Sequence, residues 1–277
     1  MSSAYHALTV DVEDWYHVCG IGKQIVVPRD TWRVRHNIEK TLCLFEQYQC
    51  KATFFMLGSV AESLPELAPM IAAQGHEIAS HGYSHRLLSE MDEQQFRDDL
   101  QQTEELLLRQ TGQRPVGYRA PQWSVSSQTP WVDHVLAERG YQYDSSRNPL
   151  PFIGDSSASR YPYLITTDKG SLWEIPPLVT KTALVHLPTG GGWGFRFFPL
   201  DLIVATIDDY ERAAASAVFY LHPREVDPDG PRLPLSPLKR FVTYGTRTDA
   251  TVRITELLKC YRFKTLAEMV SAWQPVS

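Results

Sequence analysis

The 277-residue chain lacks most of the features that assign a sequence at a glance. No apolar run approaches the roughly 18 residues a membrane span requires, so no transmembrane helix is expected. The N-terminus shows no basic stretch followed by an apolar segment, and a cytoplasmic location is the expectation. Positive charge is not in excess. A formal net charge of -5 and a pI near 6.0 remove the electrostatic reason to expect nucleic acid as a partner. Cysteine is sparse: Cys19, Cys43, Cys50 and Cys260 have no C-x-x-C spacing. They read as reduced, mostly buried small hydrophobes rather than a disulfide framework or zinc knuckle. No G-x-G-x-x-G follows the first strand candidate, which removes the usual dinucleotide argument. Repeats, low-complexity tracts and a linker able to divide the chain are also missing, so a single domain over 1–277 is expected.

What the chain does have is 43% hydrophobic residues, enough for a sizeable core, arranged as alternating strand and helix patterns. Strand candidates fall at 7–12, 52–57, 76–80, 116–119, 141–144, 172–175, 184–187, 217–221 and 261–266. Helical spacing appears at 30–48, where Asp30 can cap, and at 59–74, where Ser59 and Glu62 have capping-box spacing. Further helices are expected at 92–109, 128–139, 200–214 and 248–259. Such alternation is the signature of βα units around parallel strands. The length and count predict an α/β barrel of about seven to eight strands rather than an open doubly wound sheet.

In a parallel barrel the carboxyl ends of the strands share one face, so residues placed there can meet. Four such ends carry reactive groups: Asp11, Glu13 and Asp14; His81 and His85; Arg119; and His222. Period-two alternation puts Asp11 and Glu13 on one side of their strand, while Asp14 reaches it only if the strand ends or bulges. The two histidines, four residues apart around Gly82, can converge on one divalent cation in a loop.

These residues lie in Thr9-Val10-Asp11-Val12-Glu13-Asp14, Ser80-His81-Gly82-Tyr83-Ser84-His85, Arg119-Ala120-Pro121, Tyr143-Asp144-Ser145-Ser146 and Leu221-His222-Pro223. Together they resemble the NodB-homology polysaccharide deacetylases, carbohydrate esterase family 4. The Asp-Val-Glu-Asp-Trp opening and the tail from His222 to Pro228 look like the members linked to bacterial exopolysaccharide and exosortase loci. The resemblance implies a distorted (β/α)7-type barrel with a family-specific C-terminal segment at about 223–277. It implies one divalent metal, zinc first, with cobalt, nickel or iron as substitutes, and removal of acetyl groups from N-acetylated sugars. Carried over by position, Asp11 is the general base, His81 and His85 are metal ligands, His222 is the general acid and Arg119 orients the base. The commonest family form has two adjacent aspartates, whereas Val12 follows Asp11 here, so the acid ligand is Glu13 or Asp14, with Glu13 favoured.

The chemistry fits independently. Amide hydrolysis needs a nucleophile stronger than water, which a metal with an open position supplies near neutral pH. An amine leaves poorly unless protonated. A backbone N–H at Gln122, after the turn at Pro121, is a candidate oxyanion donor. Trp15, Tyr16 and Trp123 are candidates to line a glycan groove, and Trp193 in the glycine-rich segment 189–196 suggests a mobile rim. Asp144 reads first as a cap and second as a partner for His222. His76 and His186 read as packing or surface residues, and His6, His17, His36 and His134 carry no argument. Arg232, Lys239 and Arg240 read as solvated, with contact to acidic sugars as the alternative. The expected substrate is an N-acetylated exopolysaccharide or a precursor at the inner face of the membrane. Competing readings are a cyclic amide or ureide hydrolase of allantoinase type, and a carbohydrate-binding barrel without activity.

Overall fold

A strand buried on both faces must be central to its sheet, and β1 (Tyr5–Val12) is buried from His6 onward. In the computed structural model, which describes residues 4–17, 27–151, 153–245 and 249–273, β1 sits between β2 (Thr53–Met56) and β10 (Val218–Leu221). The sheet continues from β2 through β3 (Glu77–Ser80), β4 (Gly117–Tyr118) and β5 (Tyr143–Asp144) to β7 (Gly170–Glu174). All of these pairings are parallel, and only β6 (Tyr163–Thr167) joins antiparallel, on β7. The strands from β10 to β7 are thus a curled parallel run of seven. Its open side is narrowed by the chain after β7: Leu178 N–H donates to Val218 O at 2.8 Å, and Tyr220 N–H to Gly190 O at 2.9 Å. The expected (β/α)7-type barrel is the observed architecture.

The helices α1 (Val34–Gln47), α4 (Glu93–Thr111), α5 (Val132–Glu138), α7 (Leu200–Arg212) and α9 (Thr251–Cys260) lie near their expected places. Other expectations fail for identifiable reasons. The helix read at 59–74 is two helices, α2 (Gly58–Ser63) and α3 (Leu67–Ala73), because Pro65 between them lacks an N–H and clashes with the preceding turn. Neither Ser59 nor Asp30 caps a helix; Arg29–Thr31 is a separate 3-10 turn. The glycine-rich segment forms α6 (Gly192–Phe197), and the long polar loop contains α8 (Pro237–Tyr244). The extended segment at 184–187 reduces to β9 (His186–Leu187), paired with β8 (Thr180–Lys181), and Leu184 is exposed at its turn. Cys43 and Cys260 are exposed on α1 and α9, contrary to expectation, whereas Cys50 is buried; Cys19 lies outside the described residues.

The final strand shrinks to β11 (Arg262–Phe263), and α10 (Leu266–Trp273) follows it. Leu266, Met269 and Val270 of α10 pack against Ala7, Phe55, Ala79, Tyr143 and Val218, the inward residues of the barrel. Leu266 N–H donates to Thr53 Oγ1 at 2.8 Å and Ala267 N–H to Glu77 Oε2 at 3.0 Å, which fixes the helix across the strands' amino ends. The interior is therefore stoppered below and accessible from the carboxyl ends.

Candidate active site

Side chains alternate along a strand, so the inward ladder Ala7, Thr9, Asp11 on β1 is matched by Ala79 on β3 with His81 just past it, and by Val218 and Tyr220 on β10 with His222 just past it. Gly117 and Arg119 continue the same pattern from β4. The lowest inward residues are apolar and the highest are reactive. That is how four strands deliver separate side chains to one point.

Arg119 is the centre of the constellation and is 1% exposed. Its Nη1 donates to Asp11 Oδ1 and to Thr9 Oγ1, both at 2.7 Å. Its Nε donates to Ser145 O at 3.1 Å and its Nη2 to Ser145 Oγ at 2.9 Å. The guanidinium lies 4.0 Å from the centroid of the Phe55 ring and 4.9 Å from that of Trp123. Ser146 Oγ accepts Ala120 N–H at 2.7 Å, so the Ser145-Ser146 pair after β5 holds the Arg119 turn.

Glu13 lies just past β1, its N–H donating to Asp11 O at 2.9 Å. Its Oε1 is 3.1 Å from His81 Nε2 and 2.9 Å from His85 Nε2. His81 Nδ1 is 2.7 Å from Arg119 O, a carbonyl that only accepts, so Nδ1 carries the proton. In the neutral imidazole that leaves the Nε2 lone pair facing a carboxylate oxygen. A contact this close is satisfied either by a proton on Nε2 or by a metal cation between the two atoms. Two imidazoles and one carboxylate, with a backbone carbonyl behind one ring, are a donor set that suits a zinc-class divalent metal. Burial opposes ionisation of Glu13, yet His85 and His81 hold its pKa well below the usual carboxylate range. Burial likewise opposes charge on His81, but its bond to Glu13 and the nearby Asp11 raise its pKa.

The histidine loop needs its glycine. Gly82 has φ +71°, and a Cβ there would meet Asp99 Oδ2 at 2.9 Å. Gly58 N–H and Ser59 N–H, at the start of α2, donate to Gly82 O and Tyr83 O at 2.9 and 3.0 Å. His85 itself has φ +54°, a left-handed residue held by this frame.

Asp14 is turned away from the cluster. Its carboxylate accepts Trp15 N–H at 2.7 Å and Arg33 N–H at 3.1 Å, and so ties the strand exit to the start of α1. His222 Nε2 lies 3.9 Å from Asp11 Oδ2. Burial and then Arg224 lower the His222 pKa, and its buried Nδ1 has no hydrogen-bond partner among the described residues. Asp144 does not reach His222; it takes the Ser146 hydroxyl and lies 3.4 Å from Arg147.

Among the groove candidates, Trp123 is buried edge-on against Tyr220, with ring centroids 5.0 Å apart. Gln122 before it has φ +55°, and its buried Nε2 has no partner among the described residues. Pro121 starts that turn. Trp15 and Tyr16 are half-buried, with Tyr16 4.3 Å from the ring of His17. Trp193 stands on α6 among Phe197, Phe198 and Phe241, part of an aromatic packing cluster rather than a loop rim.

Sequence reasoning missed Tyr220, which alternation from His222 signals, and His17, which nothing local signals. His17 Nδ1 accepts Asp14 N–H at 3.0 Å, and its ring is 5.8 Å from that of His85. Burial and then the neighbouring His85 push its pKa down to about 3.

Comparison with known proteins agrees with this geometry. Residues 23–143 match the model of the polysaccharide deacetylase family, and residues 145–271 match a domain of unknown function, DUF3473. A peptidoglycan deacetylase of Helicobacter pylori is 38% identical over 160 residues, covering 55% of this chain and 52% of that protein. The alignments span about half or less of the first curated relatives, 52%, 34% and 28% of their lengths. A crystal structure of a Mycobacterium smegmatis protein classed with the polysaccharide deacetylases superposes with a TM-score of 0.62. It is 23% identical and covers 98% of this chain and 92% of that one. The allantoinase Puue superposes with a TM-score of 0.66 at 17% identity, covering 97% of this chain and 89% of that one. Those two structures share the fold. The motif residues are thus assembled at one end of that fold, in a chain whose residues 23–143 match the polysaccharide deacetylase family and whose residues 145–271 match DUF3473.

Proposed function

We propose that this protein hydrolyses the N-acetyl groups of amino sugars in a glycan, with an exopolysaccharide or its precursor as the natural substrate. One observation carries the reading: two imidazole Nε2 atoms meet on a single Glu13 oxygen beside an aspartate clamped by a buried arginine. The chain acts as one catalytic domain.

Glu13, His81 and His85 would hold the metal, with zinc as the first expectation and cobalt, nickel or iron as substitutes. When bound, a divalent cation supplies Lewis acidity toward the acetyl carbonyl and acidifies water. Asp11 accepts the proton of the attacking water at Oδ2, because Arg119 occupies Oδ1. Arg119 keeps that carboxylate fixed in position. His222 Nε2, 3.9 Å from the same Oδ2, then carries a proton to the departing amine. Its lowered pKa leaves the ring neutral at rest, so the proton it delivers is the one it takes over from Asp11 Oδ2. Trp123 and Gln122 form the wall where the acetyl group docks.

The test is acetate release from N-acetylglucosamine oligomers, with elemental analysis of the same preparation. We expect about one equivalent of metal and turnover that falls by about 100- to 10,000-fold in Asp11→Asn, with metal content retained. Failure to release acetate from any N-acetylated glycan by the metal-loaded protein, or opening of an allantoin ring instead, overturns the reading.

A further inference from the structure

Beside the Glu13 cluster runs a narrow cleft lined by Trp15, Arg196, Arg224, Asp227, Arg232 and Tyr244. Its charges are unequally satisfied. Asp227 is committed to Arg33 at 2.7 and 2.8 Å and to Asn37 at 2.9 Å. Arg196 donates to the carbonyls of Gly192, Thr243 and Tyr244 and lies 3.3 Å from Glu225. Arg232 is exposed, with its guanidinium 5.5 Å from the Tyr244 ring centroid. Arg224 differs from all of these. Among the described residues its buried Nε and Nη1 have no hydrogen-bond partner, and Glu13 Oε2 lies 3.6 Å from Nη1. A desolvated guanidinium with unmade hydrogen bonds is costly unless a ligand or water supplies the acceptors.

We propose that this cleft is a subsite for a carboxylate carried by the sugar next to the N-acetylated one, with Arg224 as its partner and Arg232 at the entrance. The substrate class is thus an acidic glycan. The inference rests on the deacetylase reading and specifies its substrate. Size and charge select a carboxylate. The cavity volume of about 20 Å³ admits one small polar group. Arg224 and Arg232 line the cleft while its one carboxylate, Asp227, is already paired with Arg33, so the cleft favours a small anionic group. Because Arg224 is 3.6 Å from Glu13, a carboxylate bound there is held within reach of the reacting centre.

The experiment compares a hyaluronan tetrasaccharide, which alternates N-acetylglucosamine with glucuronate, against its carboxyl-reduced neutral counterpart on the metal-loaded full chain. Acetate release should favour the acidic substrate by about tenfold or more in kcat/KM, mainly through KM, and less so at high salt. Arg224→Gln and Arg232→Gln should each bring the two substrates to within about threefold of each other. Equal loss on both substrates in Arg224→Gln, with reduced metal content, would show that Arg224 only positions Glu13, and would overturn the subsite. Equal kcat/KM for the two substrates in the unaltered protein overturns it as well. Acetate from neither substrate counts against the deacetylase reading, and calorimetric binding of the two tetrasaccharides then decides the subsite by itself. Tighter binding of the acidic one supports it, and equal binding removes it.

Discussion

Arg119 shows how one side chain can set both stability and chemistry. A buried cation spanning Thr9, Asp11 and Ser145 is compensated only while all its bonds exist. Breaking a buried pair from one side leaves an uncompensated charge, which costs about 3–5 kcal/mol. Arg119→Gln should therefore lower the urea midpoint substantially and reduce turnover, since Asp11 loses the group that orients it. Arg119→Lys should restore little of either, because a single ammonium cannot reproduce a planar fork with three directed donors. Unfolding curves of the two variants, read beside acetate release, check this; full recovery in Arg119→Lys would show that charge alone matters. At this scale much of the site was legible. Asp11, Glu13, His81, His85, Arg119 and His222 each follow a strand, and strand exits converge in a parallel barrel. The choice between Glu13 and Asp14 was less so, because it depends on where Arg33 N–H arrives from α1. His17 and Arg224 reach the site from loops, and no local periodicity marks them.

Single elements are held to the site by few contacts, and the histidine loop is the clearest case. Gly82 combines a left-handed φ of +71° with Asp99 Oδ2 where a Cβ would sit, at 2.9 Å. Asp99 also accepts Tyr83 N–H at 2.6 Å, so displacing it loosens the whole turn between His81 and His85. Gly82→Ala should cost about 1–2 kcal/mol in backbone strain alone. Its larger effect should be on metal affinity, because two ligands that move relative to each other lose their common focus. We expect at least a tenfold weaker metal dissociation constant by competitive chelator titration, against only a few degrees in Tm. An unchanged affinity would mean that the loop adapts. The same scale shows where sequence patterns misled. The capping-box spacing at Ser59 came to nothing because α2 starts at Gly58 with Leu57 as its N-cap, which puts Ser59 inside the helix. The α6 and α8 helices were hidden by glycine and proline at their starts, residues that also mark loops. By contrast, α4 was plain in the sequence, where Asp92 and Gln95 make the capping box and Gly112 the left-handed stop.

For the whole molecule, alternation of strands and helices specified the barrel, but not how its bottom is closed. That role falls to α10, whose short apolar face after β11 has meaning only against the barrel interior. Opposite it, on the outer face of the sheet, His76 is packed between Phe45 and Phe54, with ring centroids 5.9 and 5.1 Å away. Its Nδ1 accepts Ala52 N–H at 3.2 Å, which requires a neutral ring. Burial, then Lys51, lowers its pKa to about 4 from the ordinary 6.5. The unfolded chain therefore binds a proton at this position between pH 6.5 and about 4 where the folded protein does not. Its contribution to stability is fully present above pH 6.5 and declines as the pH falls through that window. His17, depressed to about 3, adds to the same trend. Asp144 opposes it: burial raises its pKa to about 6, so between about 4 and 6 the folded state holds the extra proton and gains stability on acidification. Glu174, held well above the usual carboxylate range by burial and by Asp144, opposes it as well, so the pH dependence of Tm is the balance of the two sets. Proton NMR of the histidine ring resonances separates the contributions. The His76 signal should stay at its neutral shift down to about pH 4.5, and a midpoint near 6.5 would show that the ring is solvated and that this part of the sheet is not closed.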